Sequence, residues 1–305
     1  MCVQSQLAAT VIPLRDLWSP FCRPTPFEES TFMILEGYVD ESLDGEWFTL
    51  AAIFTTGLRW QWLTVDWDRC ITRWSKRMVA SGRKPLRRYH GTDCAGRNED
   101  FEGWTKTEVE EFLRELRTLI DEMDGTHIVS LSLKTGELAE VFELKTDKAV
   151  KRACYEVLLQ YIMLQMGSDI DSRNPGYERV RVPLFHDHTK DYDSVMNRAF
   201  FSMMEDPNFR YKQYFTTISP MTWQHCIPLQ PADMVAFESR KQVIRHTEGS
   251  PLGGEIKRLL DLPTFGGGGR YFRKDNLVHL KKLLDEIKHK IGHVPPTPKR
   301  SKLRG

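Results

Sequence analysis

Phe32-Met33-Ile34-Leu35-Glu36-Gly37-Tyr38-Val39-Asp40-Glu41-Ser42 is a run of apolar and β-branched residues that ends in two carboxylates. Apolar runs of this kind make strands in the middle of a sheet. A carboxylate at the end of such a strand sits beside a desolvated core. Holding its charge there requires a metal, a partner or water. Asp40 is therefore the first candidate ligand of a metal site. Strand alternation puts Glu41 on the opposite face unless the chain bends after Val39.

Working outward, Leu43-Asp44-Gly45-Glu46 supplies a turn and Trp47 to Phe54 a second strand, so an antiparallel hairpin is expected. The period then changes. Trp60, Leu63, Trp67, Ile71, Trp74 and Met78 recur at steps of three and four, one face of a helix. Arg69, Arg73, Lys76, Arg77, Arg83, Lys84, Arg87 and Arg88 follow with no acidic residue among them. Such a run is either a solvated face above buried tryptophans or a clamp for a phosphate backbone. Next comes Tyr89-His90-Gly91-Thr92-Asp93, in which His90 either holds a backbone carbonyl or orients water or phosphate at a site edge.

A helix is expected over Thr105 to Met123, with Thr107-Glu108-Val109-Glu110 as its capping box. Thr126 to Leu133 alternates as a half-buried strand would, and Leu138 to Met166 reads as mostly helical. Val180 to Phe185 is another strand and delivers His186-Asp187-His188 at its carboxyl end, where sites collect in open sheets. In an extended strand Asp187 points away from both histidines, which read as packing or supporting groups. Tyr192 to Met204 reads as a short helix and Tyr211 to Ile218 as an edge strand. Pro231 marks the start of a helix, placing Gln230 near its N-cap and Asp233 near its third position. Asp233 there either compensates the helix dipole or faces a site together with Gln230. Glu238 is expected to face elsewhere.

Composition sets limits. The 305 residues include 28% charged and 40% hydrophobic side chains, ordinary for a globular protein. A net charge of +1 gives no global sign of nucleic-acid binding, although four basic residues in the tail leave the remainder net acidic. No apolar run reaches the ~18 residues of a membrane span, so no membrane partner is expected. Six scattered cysteines without a C-x-x-C pair and no evident secretory signal fit a cytoplasmic setting. The expected organisation is an irregular N-terminal arm over 1–30 and a main domain over 31–247 with a helical basic insertion over about 59–123. A C-terminal helical extension over 248–294 and a disordered basic tail over 295–305 complete it.

Three carboxylates on separate elements, Asp40, Asp187 and Asp233, point to a hard divalent ion, Mg²⁺ or Mn²⁺. Two such ions can serve phosphodiester cleavage. The ordered pieces Tyr38-Val39-Asp40-Glu41-Ser42, Tyr89-His90-Gly91-Thr92-Asp93, Phe185-His186-Asp187 and Leu229-Gln230-Pro231-Ala232-Asp233-Met234-Val235-Ala236 resemble the landmarks of domain-of-unknown-function family 3800. The resemblance spans about Phe32 to Arg245, with Leu43 where the family pattern has glycine. It implies an α/β fold with a ribonuclease H-like mixed sheet flanked by helices. It also implies a metal-dependent nuclease acting on DNA or RNA, with Asp40, Asp187 and Asp233 as acidic residues and Glu41, His90 and Gln230 as accessories. A nucleic-acid-binding protein that keeps the fold without cleavage is the alternative, and a small-molecule hydrolase on the same fold is a third option.

Overall fold

A computed structural model of the chain describes residues 33–123, 125–173, 180–249 and 269–291. The expected arm, residues 250–268 of the expected C-terminal extension and the basic tail lie outside the described residues.

The first strand, β1 (Met33–Leu43), runs through both carboxylates without a break. It turns at Asp44, whose Oδ1 accepts the backbone N–H groups of Glu46 and Trp47, into β2 (Trp47–Thr56). The hairpin is antiparallel, as its turn predicts, with Asp40 opposite Ala51 and Glu41 opposite Leu50. Helix α1 (Gly57–Ala80) follows and buries Trp60, Leu63, Trp67, Ile71, Trp74 and Met78, the stripe that the spacing predicts. Helix α2 (Gly91–Gly96) is a short piece, and α3 (Lys106–Asp121) is capped two residues before the expected box. Its capping box is Thr105 with Glu108, reciprocal between side chain and backbone, rather than Thr107 with Glu110.

Strand β3 (His127–Lys134) pairs antiparallel with β2 and is buried on both faces except at Lys134. The half-buried strand expected there is corrected, because helices cover both sides of the sheet. The stretch Leu138 to Met166 is mostly helical, as expected, and divides into α4 (Thr135–Phe142) and α5 (Asp147–Arg173), with a break at Glu143, whose backbone is left-handed. Strand β4 (Val180–Asp187) pairs parallel with β1, and β5 (Phe215–Met221) forms the sheet edge beyond it. Between these strands lies α6 (Asp193–Glu205), and after them comes α7 (Leu229–Thr247). The C-terminal extension is not only helical. Strand β6 (Gly269–Phe272) pairs parallel with β3 before α8 (Lys274–Ile291) begins. Nothing in the four residues Gly-Arg-Tyr-Phe distinguishes a strand from a loop until β3 offers its edge.

The mixed six-stranded sheet thus has the order β5-β4-β1-β2-β3-β6. Alternation divides its side chains between two cores. Val39, Leu50, Phe54, Leu131 and Leu184 pack with α4, α5, α6 and α8 on one face. Tyr38, Ala51, Ile53 and Ile128 pack with α1, α2, α3 and α7 on the other. Among the described residues no helix is long and apolar enough to cross a membrane.

Gly37 lies where β1 is hemmed in by its neighbours. A Cβ there would meet Phe54 Cε1 at 2.5 Å and Leu184 Cδ2 at 2.7 Å. Both contacts are buried side chains of the first core, so neither moves cheaply. Gly37→Ala is expected to destabilise the chain by about 1–3 kcal/mol in urea unfolding, with an unchanged m-value.

Candidate functional site

Parity along β1 and β4 decides which carboxylates meet. Asp40 shares the face of Tyr38, and Asp187 shares the face of Phe185, both packed in the core that includes α7. The parallel register runs Tyr38 with Phe185 and Val39 with His186, so Asp40 and Asp187 follow side by side where the pairing of β1 with β4 ends, although β1 itself runs on to Leu43. Helix α7 crosses that face and presents Asp233, its fifth residue, from above. Asp233 stands two residues further in than expected, about half a turn, because the helix begins at Leu229 rather than near Pro231. Glu41 follows the strand alternation without a bend and turns toward Tyr155 of the opposite core. Burial, and then the charge of Glu41, push the Tyr155 phenol upward.

These carboxylates line one cavity of about 450 Å³, together with Arg88, Tyr89, His90, His188, Trp223 and Gln230. Burial is the largest cause holding the Asp40 carboxyl well above its ordinary range, followed by the charges of Asp233, Glu41 and Asp187. Burial and then Glu41 also raise Asp187, against the N–H of His188 and the charge of Arg88. Asp233 is pushed up to about 6 by burial, while His90, the Gly91 N–H and Arg88 oppose the shift. Four acids thus crowd a space whose charge is only partly compensated by the protein itself.

The wall of the cavity at Tyr89–Gly91 is fixed by α7. Gln230 Oε1 accepts from the Tyr89 backbone N–H at 2.9 Å and from Trp67 Nε1 at 3.1 Å. Gly91 N–H donates to Asp233 Oδ2 at 2.9 Å. A side chain at Gly91 would strike Phe237 at 2.7 Å, so glycine is what lets this segment lie against the helix. Gln230, a candidate accessory to chemistry, is buried and its oxygen is committed to two donors, which makes it a positioning residue.

Two histidines face the same cavity, each oriented by a carboxylate. His90 Nδ1 lies 2.6 Å from Asp93 Oδ2, and His188 Nδ1 lies 2.5 Å from Asp193 Oδ2. The acceptor carboxylates place the proton on Nδ1, leaving Nε2 free to accept one. His188 was expected only to pack or support. Its partner Asp193 opens α6 five residues later, a link that strand periodicity does not show. His186 is buried on the other face, with Nδ1 on the Asp187 carbonyl.

The basic run separates into two kinds of residue. Arg69 pairs with Asp66, Arg73 with Glu115, Arg77 with Glu111, Arg83 with Glu108, Lys84 with Glu102 and Arg87 with Asp100. Their partners lie on α1 itself, on α3 and in the loop before α3. The expected phosphate clamp is therefore largely a set of intramolecular pairs, and Lys76 stays on the exposed side of α1. Arg88 differs, with its guanidinium 4.3 Å over the Trp223 ring and its charge facing the carboxylates.

Among the described residues no group of three or more His, Cys, Asp or Glu side chains is arranged, as it stands, to hold a metal ion. The fit to a cation rests instead on chemistry and charge. The acids supply only oxygen donors, which suit Mg²⁺ or Mn²⁺, and their mutual repulsion is relieved by positive charge.

Two outcomes follow from this geometry. Gln230→Leu strands two buried donors and is expected to cost about 2–4 kcal/mol in chemical denaturation. Asp233→Asn keeps an acceptor for Gly91 but removes a charge. Because the folded value of Asp233 lies above its ordinary 3.8, the wild type loses stability as pH rises from about 4 to about 6 and does not regain it above. The variant lacks that loss, so it is expected to match the wild type near pH 4 and to melt ~2–4 °C higher at neutral pH without metal. Paired melting curves across that range check it.

Neither a family model nor a curated protein matches this chain.

Proposed function

We propose that this chain is a divalent-metal-dependent nuclease, or a related phosphoryl-transfer enzyme, acting on DNA or RNA. The observation that carries this reading is the meeting of Asp40, Asp187 and Asp233, from two neighbouring strands and one helix, around a single cavity. A mixed sheet with carboxylates ending its central parallel pair supports the ribonuclease H-like reading and the resemblance to domain-of-unknown-function family 3800.

Asp40, Asp187 and Asp233 would hold the metal, with Glu41 at the rim of the same cavity. Bound Mg²⁺ or Mn²⁺ would supply a water of lowered pKa and charge stabilisation at the phosphoryl oxygens. The protein's own groups do the rest. His90 and His188 line the cavity with Nδ1 engaged by a carboxylate, which leaves Nε2 of either to accept a proton from an attacking water or return one to a leaving oxygen. Asp93 and Asp193 fix the tautomers. Arg88, held against Trp223, sets a guanidinium where a phosphate oxygen can take its two N–H groups. Tyr89–Gly91, tied to α7, keeps His90 and Asp233 in one relative position.

The test has two readouts. Mn²⁺ at about 100 times its dissociation constant is expected to raise the wild-type melting temperature by ~5–10 °C and to leave Asp40→Asn nearly unmoved. Cleavage of mixed nucleic acids with Mg²⁺ or Mn²⁺ is expected to fall ~100-fold or more in Asp40→Asn. Equal activity in wild type and variant would refute the assignment.

A further inference from the structure

Resting on that reading, we propose that the cavity between α2, α3 and α7 is the binding site for the phosphates flanking the scissile bond on the same nucleic-acid strand. The cavity measures about 890 Å³ and shares Tyr89 with the carboxylate cavity, on the far side of the 89–91 wall. Six cations and two carboxylates line it. One of the acids, Glu238, is buried and already engaged by Arg117 at 3.4 Å and Lys241 at 3.2 Å. The other, Glu110, reaches Lys106 only at 3.7 Å. Arg97, Arg114 and Arg245 are exposed around the rim and pair with no carboxylate among the described residues. Val109, Leu113 and Phe237 supply apolar lining between them.

Electrostatics favours this location. A phosphodiester entering the carboxylate cavity meets four acids and one arginine, so the free energy that holds the strand must come from elsewhere. The α1 face cannot supply much of it, because most of its cations already have intramolecular partners. The unpaired cations gather instead beside the chemistry, on three elements converging on one cavity. Each phosphate they meet would release counterions and steepen the salt dependence of binding.

The experiment measures binding apart from cleavage. Fluorescence anisotropy of a labelled single-stranded oligonucleotide in EDTA, over a salt series, compares the intact wild-type chain with R97E/R114E/R245E and with R69E/K76E on α1. The milder R97Q/R114Q/R245Q and the melting temperature of each variant guard against loss of fold. The expected result is at least a ~10-fold loss of affinity and a shallower salt slope for both pocket variants, with the α1 variant within about twofold of wild type. Pocket variants that bind like wild type, a larger loss from the α1 variant, or no binding by the wild type would each overturn the proposal. Competition by pyrophosphate alone, with no oligonucleotide affinity, would point to a small phosphate ligand and also overturn it. Cleavage that depends on Asp40 with binding indifferent to the pocket would sink this site and keep the nuclease reading. Pocket-dependent binding without cleavage would do the reverse.

Discussion

The side-chain oxygen of Gln230 is the knot on which the functional face depends. It accepts from Trp67 on α1 and from the Tyr89 backbone, so three segments distant in the chain share one buried acceptor. An unsatisfied donor in such a place costs about 1–3 kcal/mol, which keeps the arrangement together. The Tyr89–Gly91 wall that results has a carboxylate cavity on one side and a cation-lined cavity on the other. A second contact, Gly91 N–H to Asp233, fixes the wall against α7 at the point where the charges crowd.

The two cavities are electrostatic opposites for a physical reason. On the sheet side, strand parity aims Asp40 and Asp187 at the same space as Asp233, and their repulsion stores unfavourable energy in the folded state. Across the wall, α2, α3 and α7 bring six cations together against two carboxylates. Charge that is left uncompensated on both sides of one segment is costly to keep unless ligands of opposite sign meet it. The cation proposed for one and the polyanion proposed for the other would be a complementary pair.

Much of this was legible from local pattern. The apolar run into Asp40, the turn at Asp44-Gly45 and the tryptophan stripe of α1 each follow a short-range period that the structure keeps. Asp40 shares the face of Tyr38 and Asp187 that of Phe185 by strand periodicity, and the register between β1 and β4 makes the two faces one. Alternation also placed Glu41 opposite Asp40, and β1 does run on without a bend. The misjudged pieces are boundaries and short elements. Thr105 takes the cap that Thr107 was expected to hold, and β6 is a strand only because β3 has a free edge to pair with.

The sequence by itself determined the central hairpin, the amphipathic faces and the identity of the acidic residues, because each depends on spacing within one element. Tertiary structure alone decided what those residues face. The arginines of the α1 run read as free charges until α3 and its preceding loop brought Glu108, Glu111, Glu115 and Asp100 to them. Gln230 read as a site residue until its oxygen was engaged by Trp67 and Tyr89, 163 and 141 residues earlier. His188 read as packing until Asp193 turned back from α6. Charge pairing and hydrogen bonding depend on distances between elements, and those distances are set by which faces pack, not by the period along any one of them.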